Sequence, residues 1–124
     1  MPTLINEPAI IAGVGEPPKM IAEYVGRPST GASAVSIAWM RSPAGWTEPP
    51  QTPDFDEYSV VVSGSLTVEF DGGSLKVGAG EAISVGAGER VRYSTPEGAE
   101  YLSVCIPAYS PQLANRDPAP DQSP

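Results

Sequence analysis

Proline and glycine interrupt this chain so often that a long helix has nowhere to form. Fifteen prolines and thirteen glycines are spread through 124 residues, and the longest run free of both is Ala32–Ser42, eleven residues. Asp54–Ser63 follows at ten. Globular helices average about 11–12 residues and strands about 5–6, so gaps of this size suit strands. The apolar pattern agrees. Ser65-Leu66-Thr67-Val68-Glu69-Phe70 alternates as a half-buried strand does, Asp71-Gly72-Gly73 reads as a turn, and Ser74–Val77 as the hairpin partner. Glu81–Val85, Glu89–Ser94 and Tyr101–Ile106 are three more short strands between breaks. Val91 and Tyr93 share one face of theirs, while Arg90 and Arg92 point outward toward Glu89 or Glu69. Evenly spaced short strands with turn signals predict an all-β sandwich or small barrel.

The ends read differently from the middle. Lys19–Val25 fits either a strand or a two-turn helix, since periodicity over seven residues does not separate them. Pro107–Pro124 holds five prolines and few large apolar residues; Tyr109 and Leu113 are its anchors, and its last eight residues read as a mobile tail. The expected organisation is an N-terminal arm over residues 1–33, a barrel over 34–106 and a Pro-rich tail over 107–124.

Composition excludes several function classes. Histidine is absent, which removes Ser–His and Cys–His nucleophile pairs and histidine metal sites. Seven basic residues against fifteen acidic ones give a formal charge of −8, the wrong sign for a nucleic-acid or anionic-membrane partner. The one cysteine, Cys105, allows no intrachain disulfide, and without a histidine to activate it reads as a small buried hydrophobe. Met1–Gly15 lacks the basic opening and apolar core of a secretory signal, and no run approaches the ~18–20 apolar residues of a membrane span. The expectation is a cytoplasmic protein.

Two spacings carry a resemblance. Gly45-x5-Gln51-x-Pro53-x3-Glu57-x6-Gly64 resembles the first motif of the cupins, in which two histidines and a glutamate sit between glycines. Gly80-x5-Gly86-x-Gly88-x2-Val91-x3-Thr95 resembles the second, with Gly86, Val91 and Thr95 where proline, histidine and asparagine are usual. Both stand in order and in register, separated by the predicted hairpin. The phrase Gly45-Trp46-x-Glu48-Pro49 is similar to a subgroup of small stand-alone cupins. The resemblance covers about Ala34–Ile106. It implies a double-stranded β-helix, a jelly-roll barrel with an internal pocket, and a homodimer.

The departures from that pattern bear on chemistry. Three of the four positions implied as metal ligands hold Gln51, Pro53 and Val91; only Glu57 is a usual donor. A tightly held transition metal needs several convergent donors, so no metal and no other cofactor is expected, and the pocket becomes more apolar. An inward Glu57, taken out of water, would exchange protons near neutrality. Gln51 and Tyr93 are the candidate polar positioners of a catalytic set. Trp39, Met40, Pro53, Val91 and Tyr101 are candidate substrate contacts, with one of Trp39 and Met40 required to face inward. Asp54 and Asp56 read as exposed loop charges. The bland reading keeps the aromatics as packing and Glu57 as a satisfied relic.

The implied activity is a metal-independent enzyme acting on a mainly apolar small molecule by isomerisation, cyclisation or elimination, such as a biosynthetic cyclase. The alternatives are a non-catalytic small-molecule-binding cupin and a weak-metal cupin using Glu57.

Overall fold

The computed structural model describes residues 1–118. Among them are nine strands and one helical turn: β1 (Ala9–Ala12), β2 (Met20–Val25), β3 (Ser36–Ser42), β4 (Trp46–Thr47), β5 (Asp56–Phe70), β6 (Gly73–Gly78), β7 (Ala82–Val85), β8 (Val91–Thr95), β9 (Ala99–Ile106) and α1 (Pro111–Ala114). The ambiguous front segment is a strand. Met20–Val25 lies between β1 and β3, where antiparallel pairing on both sides satisfies its backbone as a seven-residue helix would not.

All pairings between named strands are antiparallel, and they form two layers. One layer runs β1-β2-β3-β9-β5-β7, and the other runs β4-β8-β5-β6. Strand β5 belongs to both, pairing β9 and β7 through its first half and β6 and β8 through its second. The result is the double-stranded β-helix. The turn between layers falls at Gly64. Register shifts between Val61 and Ser63, Gly64 has φ 73°, and a Cβ there would lie 2.1 Å from the Gly98 carbonyl oxygen.

The larger part of the core is an apolar cluster that includes Val91 and has Trp46, Val61, Leu66 and Val68 as its most buried members. A smaller cluster of Phe55, Cys105 and Ala114 sits under Tyr109 and Leu113. The hairpin after Leu66 and Val68 projects past this core. Phe70, expected inside by alternation, is therefore 42% exposed at the hairpin tip. Its partner is Gly73, so Asp71-Gly72 alone makes the connection and Gly73 is already strand.

The C-terminal segment is tied down across the open end of the barrel. Its Leu113 and Asn115 carbonyls accept from Asp54 and Thr52 at 2.8 and 3.3 Å, and Asp117 N–H donates to the Pro50 carbonyl at 2.8 Å. Phe55 and Tyr109 meet edge to face at 5.8 Å between ring centres. The expected mobile stretch over 117–124 thus begins with a fixed Asp117; residues 119–124 lie outside the described residues. Arg90 pairs with Asp117, and Arg92 donates to Thr47 Oγ1 and the Glu48 carbonyl at 3.2 Å each. Neither arginine takes Glu89 or Glu69, because the 47–50 loop and the C-terminal segment bring acceptors across their strand. Among the described residues no helix is long and apolar enough to cross a membrane.

Gly64→Ala is expected to lower the unfolding free energy by about 2 kcal/mol or more, combining left-handed backbone strain with the backbone clash. Gly45→Ala, at φ 80° with open space around it, carries the strain alone and should cost about 1 kcal/mol. Urea denaturation of the two variants checks the difference.

Candidate functional site

A cavity of about 450 Å³ opens between the two layers, and its wall is mostly apolar. Strand alternation decides which side chains reach it. From β3 it takes Ser36, Ala38 and Met40; from β5, Glu57 and Ser59; from β9, Tyr101, Ser103 and Cys105; from β8, Tyr93. Ile11, Ile21 and Lys19 enter from the N-terminal arm, and Tyr109 to Gln112 with Arg116 close it from the C-terminal segment.

Five of the eight candidate residues meet here: Glu57, Gln51, Tyr93, Met40 and Tyr101. Three do not. Trp39 lies on the opposite face of β3 from Met40 and donates through Nε1 to Glu100 Oε1 at 3.2 Å. Pro53 is fully buried and does not line the cavity, its carbonyl accepting from Gly88 N–H at 2.8 Å. Val91 exchanges backbone hydrogen bonds with Gln51 at 2.8 and 2.9 Å, and its side chain ends in the apolar cluster.

Glu57 is held by two hydroxyls. Tyr93 donates to Oε1 at 3.1 Å and Ser103 to Oε2 at 2.7 Å. Burial, then the Glu57 charge and this hydrogen bond, push the Tyr93 phenol well above its usual range, so it stays a donor. Burial, with Glu57 adding to it, likewise pushes the Cys105 thiol up and keeps it protonated. Asp56 is not a loop charge: it begins β5, and its Oδ1 accepts from Ala87 N–H at 2.9 Å. Asp54 is exposed and accepts from Asn115 Nδ2 at 2.9 Å.

The cavity charges that carry no signal in the sequence are Lys19, Glu23, Arg27, Glu48 and Arg116. Of these, Glu23 is buried, its Oε1 accepting from Ser29 N–H and Oγ at 3.2 and 2.8 Å. Lys19 is 8% exposed, with Nζ 4.4 Å from the Trp46 ring centre and 3.4 Å from the Tyr101 hydroxyl. Burial pulls its pKa down, but Tyr101, Glu48 and Glu57 outweigh that and leave it above the ordinary value. Lys19 is therefore an ammonium, a donor to oxygen and not a free-amine nucleophile. Glu48 is 4% exposed; burial raises its pKa against the opposing pull of Lys19 and Arg116. Ser103 was legible, two residues from Tyr101 in an alternating strand. Glu48 stood inside a quoted phrase without a role.

The metal implied by a cupin pocket does not fit these residues. Pro53 and Val91 carry no donor, Gln51 offers only a neutral amide oxygen, and among the described residues no three His, Cys, Asp or Glu side chains converge.

Residues 32–111 match the model of the family described as ethanolamine utilisation protein EutQ, a cupin family. The chain belongs to the EutQ family. The Clostridium difficile EutQ structure superposes with a TM-score of 0.63 at 22% identity, covering 73% of this chain and 63% of that one. The polyketide cyclase RemF from Streptomyces resistomycificus superposes at 0.75 with 20% identity, covering 98% and 89%. Both show the family's fold. A curated relative, the endoribonuclease YbeY of Myxococcus xanthus, is 43% identical over 101 residues. The match takes 80% of this chain and 34% of that protein, so this chain spans about a third of the relative's length.

A carboxyl group whose folded pKa is raised stays protonated to a higher pH in the folded chain than in the unfolded one. Glu48's contribution to stability therefore falls as pH rises from 4.5 through its raised value. Denaturation at pH 4 to 8 should show Glu48→Gln gaining on the native chain across that window; a constant difference would contradict the raised value.

Proposed function

We propose that the chain is an enzyme that moves protons on a mainly apolar carbonyl compound held in the barrel, and so promotes isomerisation, cyclisation or elimination without a metal. The observation that carries this reading is a carboxylate and an ammonium lining one apolar cavity. Glu57, aligned by Tyr93 and Ser103, is the proton acceptor; Lys19 and the Tyr101 hydroxyl are donors for the oxygen on which charge develops. Low dielectric strengthens both interactions, and an enclosing wall holds a flexible substrate in one reactive shape. Met40 and Gln51 shape that wall. The likeness to a polyketide cyclase is one of fold and agrees with this chemistry by analogy alone. An RNA substrate, which the name of the longer relative would suggest, runs against a charge of −8.

A second reading, a binding protein without turnover, draws on the same hydrogen bonds, since a Glu57 with both oxygens satisfied is a stable wall as well as a base. The reaction step shared by isomerisation, aldol-type cyclisation and elimination is removal of a proton beside a carbonyl, and β-tetralone supplies one in a molecule of fitting size. In deuterium oxide the native protein should speed deuterium uptake at the α-carbon, and Glu57→Gln should lose roughly a hundredfold of that rate. Equal rates in the two proteins would remove Glu57 as the base. Binding without any acceleration by the native protein would favour the second reading.

We also infer a homodimer in a reducing cytoplasm, where the Cys105 thiol persists. The outward row Tyr58, Val60 and Val62 of β5 is 43, 44 and 51% exposed, and Val104 and Leu102 of β9 pair with its first two members. An apolar sheet face of this kind associates readily. Val60→Glu should convert a dimer to a monomer in size-exclusion chromatography with light scattering; an unchanged mass would move the interface elsewhere.

A further inference from the structure

Glu48 and Arg116 face one another in the cavity without making a hydrogen bond. Glu48 Oε2 and Arg116 Nε are both buried, and neither has a hydrogen-bond partner among the described residues. Their charges form a loose ion pair at 3.8 Å, from Arg116 Nη2 to Glu48 Oε2, too long for a hydrogen bond. The other end of the guanidinium is taken, because Nη1 donates to the Tyr109 hydroxyl at 2.7 Å. Both residues are fixed from behind. The backbone of Arg116 pairs with Gln51, and Arg92 holds the Glu48 carbonyl at 3.2 Å. Buried polar atoms are seldom left without a hydrogen bond in a native interior, and both of these residues line the cavity.

One orphaned atom accepts and the other donates, which defines the group that bridges them. A carboxylate or phosphate meets the Glu48 charge. An ammonium meets Arg116 and Lys19. A hydroxyl donates to Glu48 Oε2, accepts from Arg116 Nε, and brings no charge into an apolar cavity. We propose that the Glu48–Arg116 corner is a subsite for a hydroxyl group, alcohol or phenol, on an otherwise apolar ligand. This deepens the reading above and rests on the cavity being a ligand site; it does not depend on Glu57 acting as a base. Under it, Glu57 and Lys19 address the reacting carbonyl, and the Glu48–Arg116 corner sets which way round the molecule lies.

Two probes of nearly equal shape test it: β-naphthol and β-methylnaphthalene, titrated by calorimetry into the native protein, Glu48→Leu and Glu48→Gln. The native protein should prefer the naphthol by about tenfold. Glu48→Leu should bring the two probes toward equal affinity, and Glu48→Gln, which keeps the shape and a neutral acceptor, should fall between. The glutamine variant preserves the comparison where the leucine variant does not fold. Equal affinities in the native protein, as a permanently bridging water would give, overturn the subsite and leave the cavity a ligand site. A naphthol preference that survives both substitutions also overturns it. Failure of either probe to bind at all overturns the subsite and the ligand-cavity reading together.

Discussion

The fold depends on one strand serving two layers. Strand β5 carries backbone pairing to four others, and among the described residues no other strand joins the two halves of the barrel in this way. Fifteen residues of continuous strand cannot stay flat while both ends bury a face, so the strand must turn about its own axis. A register shift and a left-handed Gly64 pressed against the Gly98 carbonyl let it do so. Everything inward of that corner follows from period two. Glu57, Ser59 and Val61 point into the barrel, and Tyr58, Val60 and Val62 point out. The catalytic candidate and the exposed apolar row are thus opposite faces of the same strand.

The second constraint is electrostatic. Lys19, Glu48 and Glu57 share one mostly apolar space, and an isolated charge there would cost several kcal/mol of desolvation. The chain meets that cost by setting charges of opposite sign against one another and by giving them neutral partners. Lys19 lies over Trp46 beside Tyr101, and Glu57 takes the hydroxyls of Tyr93 and Ser103. At Glu48 the effect of burial outweighs the pull of Lys19 and Arg116 and leaves the carboxyl above its usual range.

Much of this barrel could be read from residue order. Glycine and proline spacing excluded long helices, and alternation around Val68 and Val91 located strands whose inward residues the structure confirms at Leu66, Val68 and Tyr93. Alternation failed where the strand outran the core, at Phe70, because period two reports which side a residue faces and not whether anything lies on that side. The same limit explains Trp39 against Met40: one of the two had to face inward, and only the register of β3 against β9 decides which. Val91 and Pro53 were placed at the pocket by motif position. Val91 packs into the apolar cluster and Pro53 is fully buried, so neither lines the cavity, a distinction that motif position does not encode.

Lys19 and Arg116 were illegible for a different reason. Both lie outside residues 32–111, the span shared with the EutQ family, and no local pattern marks either as inward. Lys19 enters from the arm that pairs as β2, and Arg116 from the segment bound along loop 50–54. The barrel supplies Glu48, Gln51 and Glu57, while the cations that line the same cavity, Lys19, Arg27 and Arg116, come from the flanking arms together with the carboxylate of Glu23. The family match therefore covers Glu48 and Glu57 and much of the cavity wall, while the cations lie in segments that the match does not reach. A homologue with the same barrel and different arms would keep Glu48 and Glu57 and lose the cations that compensate them, leaving two carboxylates in a mostly apolar cavity at a cost the barrel alone does not offset.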